Sequence, residues 1–260
     1  LSNTGKQVAF ITGAGSGIGR GFAHQMAKLG YVVIVTDVNE DSATVVANEI
    51  IETGATAIPY QFDITDADVA KTIVDEVIKN YERIDVLFAN AGALGPSDFW
   101  DIQPTDWDVM TSVNIKGTAI IAQLVAEHMK AQQSGRIITT ASYNAVRVAA
   151  HVIPYRVTKA AILMFTKCLA MVMAPYNVTV NAIAPGVTMT PMQELYAQKT
   201  ADERGITLDD YLDDRRSRIP MQELTTIDDL NALAKFLTSD ESRLITGQII
   251  AVDGGVMASS

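Results

Sequence analysis

The chain has 260 residues, 48% of them hydrophobic, and 30 acidic against 20 basic side chains give it a formal net charge of −10. That length suits one large domain with a substantial core. So acidic a surface repels phosphate backbones and anionic lipid, which argues against nucleic acid and membrane as partners, and against an acidic carrier protein too.

A single cysteine, Cys168, rules out an intrachain disulfide and fits a reducing compartment. The opening residues LSNTGKQVAF lack the charged-then-apolar order of a secretion signal. The most apolar stretch, Ala160 to Ala174, is too short to cross a bilayer. A cytoplasmic location is therefore expected.

In chain order, short apolar runs alternate with longer segments of helical period. Gln7–Thr12 reads as a strand, followed by a glycine-rich turn and a helix over Ile18–Leu29. Tyr31–Thr36 and Ala57–Phe62 are strands, each followed by a helix, Asp41–Thr53 and Ala67–Tyr81, with Asp66 placed to cap the latter. Strand Ile84–Phe88 precedes a long helix over Thr105–Ala131, capped by Thr105. Strand Arg136–Thr140 precedes a helix over Tyr155–Ala174, on which Cys168 reads as a buried small hydrophobe and Met164, Met171 and Met173 as core or subunit contact. Strand Val178–Ile183, helix Ile227–Leu237 with Thr226 as its cap, and strand Gln248–Val252 complete the series. Strands apolar on both faces and joined through helices predict an α/β fold with a parallel sheet, as a single domain over 1–260.

Residues 187–226 break the alternation. They begin apolar, with Met189, Met192, Leu195 and Tyr196, and become densely charged between Asp209 and Arg218. The stretch reads as one or two short helices inserted over the sheet edge, a lid on the substrate site.

Two clusters carry chemistry. The stretch FITGAGSGIGRG places Gly13, Gly17 and Gly19 between a strand and a helix. Glycine lets the backbone approach a pyrophosphate, and the helix N-terminus offers free N–H groups to it. The second strand ends at Asp37, 18 residues past Gly19. An acid there accepts hydrogen bonds from the adenosine ribose hydroxyls and repels a 2′-phosphate, and neither Val38 nor Ser16 supplies a cation. NAD is therefore expected over NADP.

The other cluster is Tyr155 and Lys159, four residues apart and about 6 Å along a helix axis. A neighbouring ammonium favours phenolate, which makes the tyrosine a usable acid/base. Ser142 follows the strand Arg136–Thr140 and so reaches the same rim of the sheet. His151, four residues before Tyr155, is a candidate for the substrate pocket, whereas His24 and His128 have no ligand partner in sequence, and no metal-binding spacing is present.

These pieces in order, T-G-A-G-S-G-I-G at 12–19, Asp37, Asp63, N-A-G at 90–92, Asn114 in VNIKGT, Ser142, Y-R-V-T-K at 155–159, N-A-I-A-P-G at 181–186, Thr190 and GQIIAVDGG at 247–255, resemble the short-chain dehydrogenase/reductase family over nearly the whole chain. The resemblance implies a Rossmann-like doubly wound parallel sheet of about seven strands with helices on both faces, a nicotinamide cofactor and a homotetramer.

It also implies a catalytic tetrad. Tyr155 would exchange the proton, Ser142 would bond the substrate oxygen, Lys159 would lower the tyrosine pKa and hold the nicotinamide ribose, and Asn114 would order a water. Cofactor contacts implied in the same way are Gly13, Ser16, Gly17, Ile18, Gly19, Asp37, Asp63, Ile64, Asn90, Ala91, Gly92, Pro185, Gly186, Thr188 and Thr190, besides Tyr155 and Lys159.

The chain departs from the family in having Ala89 before Asn90, and Tyr143-Asn144-Ala145 after Ser142 where glycine is usual at the last position. These changes bear on substrate shape. The expected substrate wall is Leu94, Tyr143, Asn144, His151, Val187 and Met192, with Ala93, Met189 and Leu195 beside them.

The reading is an NAD(H)-dependent oxidoreductase interconverting a secondary alcohol, such as a polyol, diol or aryl carbinol, and its ketone. The alternatives are a 3-oxoacyl-thioester reductase, disfavoured by Asp37 and the negative charge, and a non-catalytic nucleotide-sensing scaffold, which has no need to keep Tyr155 and Lys159.

Overall fold

The computed structural model describes residues 5–96 and 98–259. All seven expected strands are present, displaced by at most two residues at either end: β1 (Val8–Thr12), β2 (Val32–Asp37), β3 (Thr56–Gln61), β4 (Val86–Ala89), β5 (Gly135–Thr140), β6 (Val178–Pro185) and β7 (Ile249–Val252). They pair in parallel in the order β3-β2-β1-β4-β5-β6-β7. The chain order reverses between β1 and β4, and at such a reversal the connections diverge and leave a crevice at the C-terminal ends of the strands.

The helices are α1 (Gly17–Lys28), α2 (Glu40–Glu52), α3 (Ala67–Tyr81), α4 (Pro104–Met110), α5 (Thr118–Gln132), α6 (Ile153–Met173), α7 (Pro191–Arg204), α8 (Leu208–Ser217) and α9 (Ile227–Thr238). Helices α1, α2 and α9 share one core with one face of the sheet, and α3, α5 and α6 share another with the opposite face. The strands alternate between the two: Val8, Phe10, Val32 and Ile34 enter one core, Ala9, Ile11, Val33 and Val35 the other. Because both sets are buried, the strand segments read as unbroken apolar runs. Each large side chain so buried contributes roughly 1.5–3 kcal/mol.

Asp66 and Thr226 cap α3 and α9 as expected. The long helix expected over Thr105–Ala131 is instead α4, a π-helical turn over Thr111–Gly117, and α5. Gln103, not Thr105, is the cap, and the Asp106 carboxylate accepts from the Gln103 N–H at 2.7 Å. Pro104 starts the helix because it lacks the N–H that would otherwise be orphaned there. A widened turn shifts the inward-facing stripe by one residue, which a mostly apolar segment such as this does not reveal.

Helix α6 overturns one further expectation: Cys168 is exposed, not buried. Met173 lies in the core, and Met164 and Met171 are 63% and 79% exposed on the single chain. The helix is apolar nearly all round, so its sequence does not say which stripe meets the sheet; Ile162, Thr166, Ala170 and Met173 do. With the following turn it runs Ile153–Tyr176, and this stretch and Pro104–Gln132 are both long and apolar enough, by composition, to cross a bilayer. The 160–174 run understates that length.

The segment 187–226 forms two helices, α7 and α8. Its stems meet: Thr188 and Thr225 form a parallel bridge, and the Thr225 N–H donates to the Val187 carbonyl at 3.0 Å. The pair therefore leaves and rejoins the fold at one point, beside the end of β6.

Candidate active site

The glycine turn is shaped by close approach. Gly13 has φ +62°, and a Cβ on it would lie 2.9 Å from Ala91 Cα; a Cβ on Gly19 would lie 2.1 Å from the Gly13 carbonyl oxygen. No side chain caps α1 and no acid stands in its first turn. Its N–H groups and partial positive charge are therefore open to an anion.

The turn forms one wall of a cavity of about 440 Å³. Gly13, Ser16, Gly17 and Ile18 line it, with Asp37 and Val38 at the end of β2, Asp63 and Ile64 after β3, Asn90, Ala91 and Gly92 after β4, Tyr155 and Lys159 on α6, and Thr190. Both Asp37 oxygens accept backbone N–H groups, from Gly15 at 2.9 Å and Asn39 at 3.0 Å, which fixes the carboxylate at the wall. Lys159 is the only cation among the described wall residues. A cradle of glycine backbone, a bare helix N-terminus and a carboxylate at the far end fit a dinucleotide.

Asn90 ties the floor together. Its side-chain amide donates to the Thr12 carbonyl at 3.1 Å and its Oδ1 accepts from the Thr140 hydroxyl at 3.0 Å, while its N–H donates to Thr12 Oγ1 at 3.0 Å. The ends of β1, β4 and β5 are thus held in one register.

A smaller cavity of about 130 Å³ adjoins the first, and Tyr155, Ile18, Thr140, Thr190 and Met192 border both. Tyr155 stands in the first turn of α6. The cap of that helix, Val152, is buried in the left-handed region at φ +48°, a conformation that costs a β-branched residue about 1–3 kcal/mol and persists only where packing enforces it.

The Ser142 hydroxyl lies beside the Tyr155 phenol and favours its ionised form, and both residues line the smaller cavity. Buried Lys159 donates to the Thr140 carbonyl at 2.6 Å, and its Nζ lies 5.7 Å from the centre of the Tyr155 ring. Burial pushes the phenol up to about 12, only partly offset by the Ser142 hydroxyl, and pushes the Lys159 ammonium down to about 8. The lowered tyrosine pKa expected from Lys159 is thus not met by the protein's own groups: desolvation of the phenolate outweighs the neighbouring charge.

Asn114 is 1% exposed, on the π turn. Its Oδ1 accepts from the Ala93 N–H at 2.7 Å, and its amide hydrogens go to the Ala93 carbonyl and Thr158 Oγ1, both at 3.0 Å. The side chain therefore anchors the β4 loop to α6.

A family model described as enoyl-(acyl carrier protein) reductase matches residues 13–257. The chain is 34% identical over 251 residues to 3-oxoacyl-acyl-carrier-protein reductase FabG of Thermotoga maritima, covering 96% of this chain and 98% of that protein. It is 35% identical over 253 residues to an NAD-dependent glycerol dehydrogenase of Listeria innocua, covering 97% and 94%. The chain is a short-chain dehydrogenase/reductase.

As an oxidoreductase of this family it also superimposes on an NAD+-bound xylitol dehydrogenase with a TM-score of 0.90 at 29% identity, over 98% of this chain and 100% of that one. A variant actinorhodin polyketide ketoreductase with NADPH gives 0.93 at 27%, over 97% of each. The solved relatives thus include complexes with either nicotinamide cofactor.

Every expected cofactor contact but one lines a cavity: thirteen border the larger, and Pro185, Gly186 and Thr188 border the smaller. Gly19 lies behind the wall, where its lack of a side chain lets α1 approach Gly13. All six expected substrate residues, Leu94, Tyr143, Asn144, His151, Val187 and Met192, line the smaller cavity. Ala93 lines the larger one, Leu195 is exposed, and Met189 packs with Ala197 and Tyr211.

The sequence reading missed Val152, Gln193, Tyr196 and Arg215. For Arg215 a signal existed: Arg216 and Arg218 have acids three or four residues earlier on their helix, whereas Arg215 has Leu212 and Tyr211.

Proposed function

We propose that the protein is an NAD(H)-dependent dehydrogenase that interconverts a small secondary alcohol and its ketone. The observation that carries this reading is the place of Tyr155 on the border between a dinucleotide-sized cavity and a smaller one that Ser142 also lines. NAD rather than NADP is supported by Asp37 at the wall without an accompanying cation.

The glycine turn, Asp37, the Asn90–Gly92 loop, Lys159 and Thr190 would hold the cofactor, which when bound would supply or accept the hydride. The chain handles the proton. In the reductive direction neutral Tyr155 donates its phenolic hydrogen to the carbonyl oxygen, which Ser142 also holds; in the oxidative direction Tyr155 takes the hydroxyl proton as the carbinol carbon gives up its hydride. Lys159, charged below about pH 8, stabilises the transient phenolate across 5.7 Å. Asn114 acts as a positioning residue by holding the Ala93 backbone against α6.

Helices α7 and α8 form the substrate lid, since both contribute to the smaller cavity from a single paired stem. The exposed apolar stripe of α6, Met164 and Met171 with Val157 and Val172, supports a homotetramer with this helix in an interface. Cytoplasmic location follows from the same reading.

The 3-oxoacyl-thioester reductase reading is favoured by the FabG relative. The acidic surface and Asp37 favour the dehydrogenase. Replacing Tyr155 by Phe tests the mechanism: turnover falls by about 10³-fold while NADH affinity, followed by nucleotide fluorescence, stays within about threefold. Retained turnover refutes the mechanism, and a strong NADPH preference in the wild-type protein refutes the cofactor assignment.

A further inference from the structure

The wall of the smaller cavity carries a charge that the proton and hydride chemistry does not use. Arg215 projects from α8 into this wall, where its guanidinium donates to the Tyr143 phenol oxygen. Its neighbours on α8 are spent on acids: Arg216 pairs with Asp213 and Arg218 with Asp214, each at 2.7 Å. Among the described residues no carboxylate lies within ion-pair distance of Arg215.

Behind the cavity lies a second of about 130 Å³ that shares Tyr143, His151 and Arg215 with it and is also bordered by Arg147 and Arg156. No described wall residue of either cavity is an Asp or Glu. Buried Arg156 donates to the backbone carbonyls of His151 at 2.9 Å and Arg147 at 2.7 Å, not to an acid. In a chain of net charge −10, three guanidiniums without a counter-ion around one pocket run against the composition. Arg156 is buried and Arg147 and Arg215 are half-buried, and charge so placed is stabilised by a ligand of the opposite sign.

Two neutral groups complete the wall. Asn144 lines the smaller cavity, with its Oδ1 turned away from solvent and without a hydrogen-bond partner among the described residues. His151 Nε2 faces Arg156 Nη2 at 3.1 Å and must accept there, which leaves the ring proton on Nδ1. Burial, then the fields of Arg156, Arg215, Arg204 and Arg147, push this imidazole down to about 4, so it stays neutral at physiological pH.

We propose that the substrate is a small hydroxy acid, or the corresponding oxo acid, whose carboxylate is bound by Arg215, with the reacting carbon at Tyr155 and Ser142. This rests on the dehydrogenase reading and narrows its substrate class. The acidic surface of the chain does not conflict with it, because the local field at the pocket is set by the guanidiniums.

The test uses four- to six-carbon sugar acids and the sugar alcohols of matching length, with NAD. The expected wild-type kcat/KM is about 100-fold higher for the best acid than for its matched alcohol. Arg215→Gln lowers the value for the acid by about 30-fold, mainly through KM, and leaves that for the alcohol within about threefold, while Arg215→Lys restores part of the loss. Equal turnover of acids and alcohols by the wild type, an equal loss on both in Arg215→Gln, or higher efficiency on phosphorylated polyols or 3-hydroxyacyl thioesters overturns the proposal.

Malonate, which cannot be oxidised here, gives a readout independent of turnover. It raises the melting temperature of the wild type and not that of Arg215→Gln. Failure of malonate to protect the wild type, with alcohol turnover intact, refutes the anion site alone. Absence of any NAD-linked turnover, with Arg215-dependent malonate protection intact, refutes the dehydrogenase reading alone.

Discussion

Asp37→Asn isolates the basis of cofactor choice. The substitution keeps the shape of the side chain and removes its charge, and the amide oxygen can still accept one of the two N–H groups, from Gly15 or Asn39, that Asp37 now holds. A ribose hydroxyl bonded to an ionised acceptor contributes about 1.5–3 kcal/mol, so kcat/KM with NAD falls by roughly 10- to 100-fold.

For NADP the sign is opposite. A unit charge about 4 Å from the carboxylate is repelled by about 1 kcal/mol in water and about 4 kcal/mol at an effective dielectric of 20. Asp37 is half-buried, so a middle value of about 2 kcal/mol applies, which is roughly 30-fold in favour of NADP once the charge is gone. The ratio of the two specificity constants therefore shifts by about 300- to 3000-fold, measured by initial rates with each cofactor at limiting concentration. A wild-type enzyme that prefers NADP, or a ratio that moves less than about threefold on substitution, refutes the argument.

Two more outcomes follow from the site. Because burial holds the Tyr155 phenol near 12, its proton-donating form dominates at neutral pH. Carbonyl reduction is expected to be flat from pH 6 to about 8 and to decline as Lys159 discharges above that, whereas alcohol oxidation, which needs the deprotonated phenol, climbs with pH over the same neutral range. Specificity constants measured in both directions across this range decide it, and oxidation that slows as pH rises from 6 to 8 is the contrary result.

Gly19→Ala forces a methyl group to 2.1 Å from the Gly13 carbonyl oxygen, which the turn relieves only by moving backbone. Loss of about 2–4 kcal/mol in urea unfolding, or of NADH binding if the chain still folds, is expected. A variant matching the wild type in both shows that the approach is not needed.

The sequence by itself determined the strands, their crossover connections and the identity of the chemical groups. Gly13, Asp37, Ser142, Tyr155 and Lys159 were legible because each belongs to a local pattern: a strand end, a turn, or a four-residue helical spacing. These are properties of adjacent residues, and backbone geometry translates them directly into position.

What the sequence did not determine depends on which surfaces meet. An all-round apolar helix does not declare its inner face, so Cys168 turned outward. A π turn is silent in a mostly apolar segment, so the inward turn of Asn114 within a broken helix was hidden. The tyrosine pKa is governed by burial, which no sequence spacing reports. Arg215 lies 60 residues from Tyr155 in sequence, and only the return of the α7–α8 excursion over the end of β6 brings it to the same small cavity. Tertiary packing alone sets desolvation and long-range charge, and on these the choice of substrate turns.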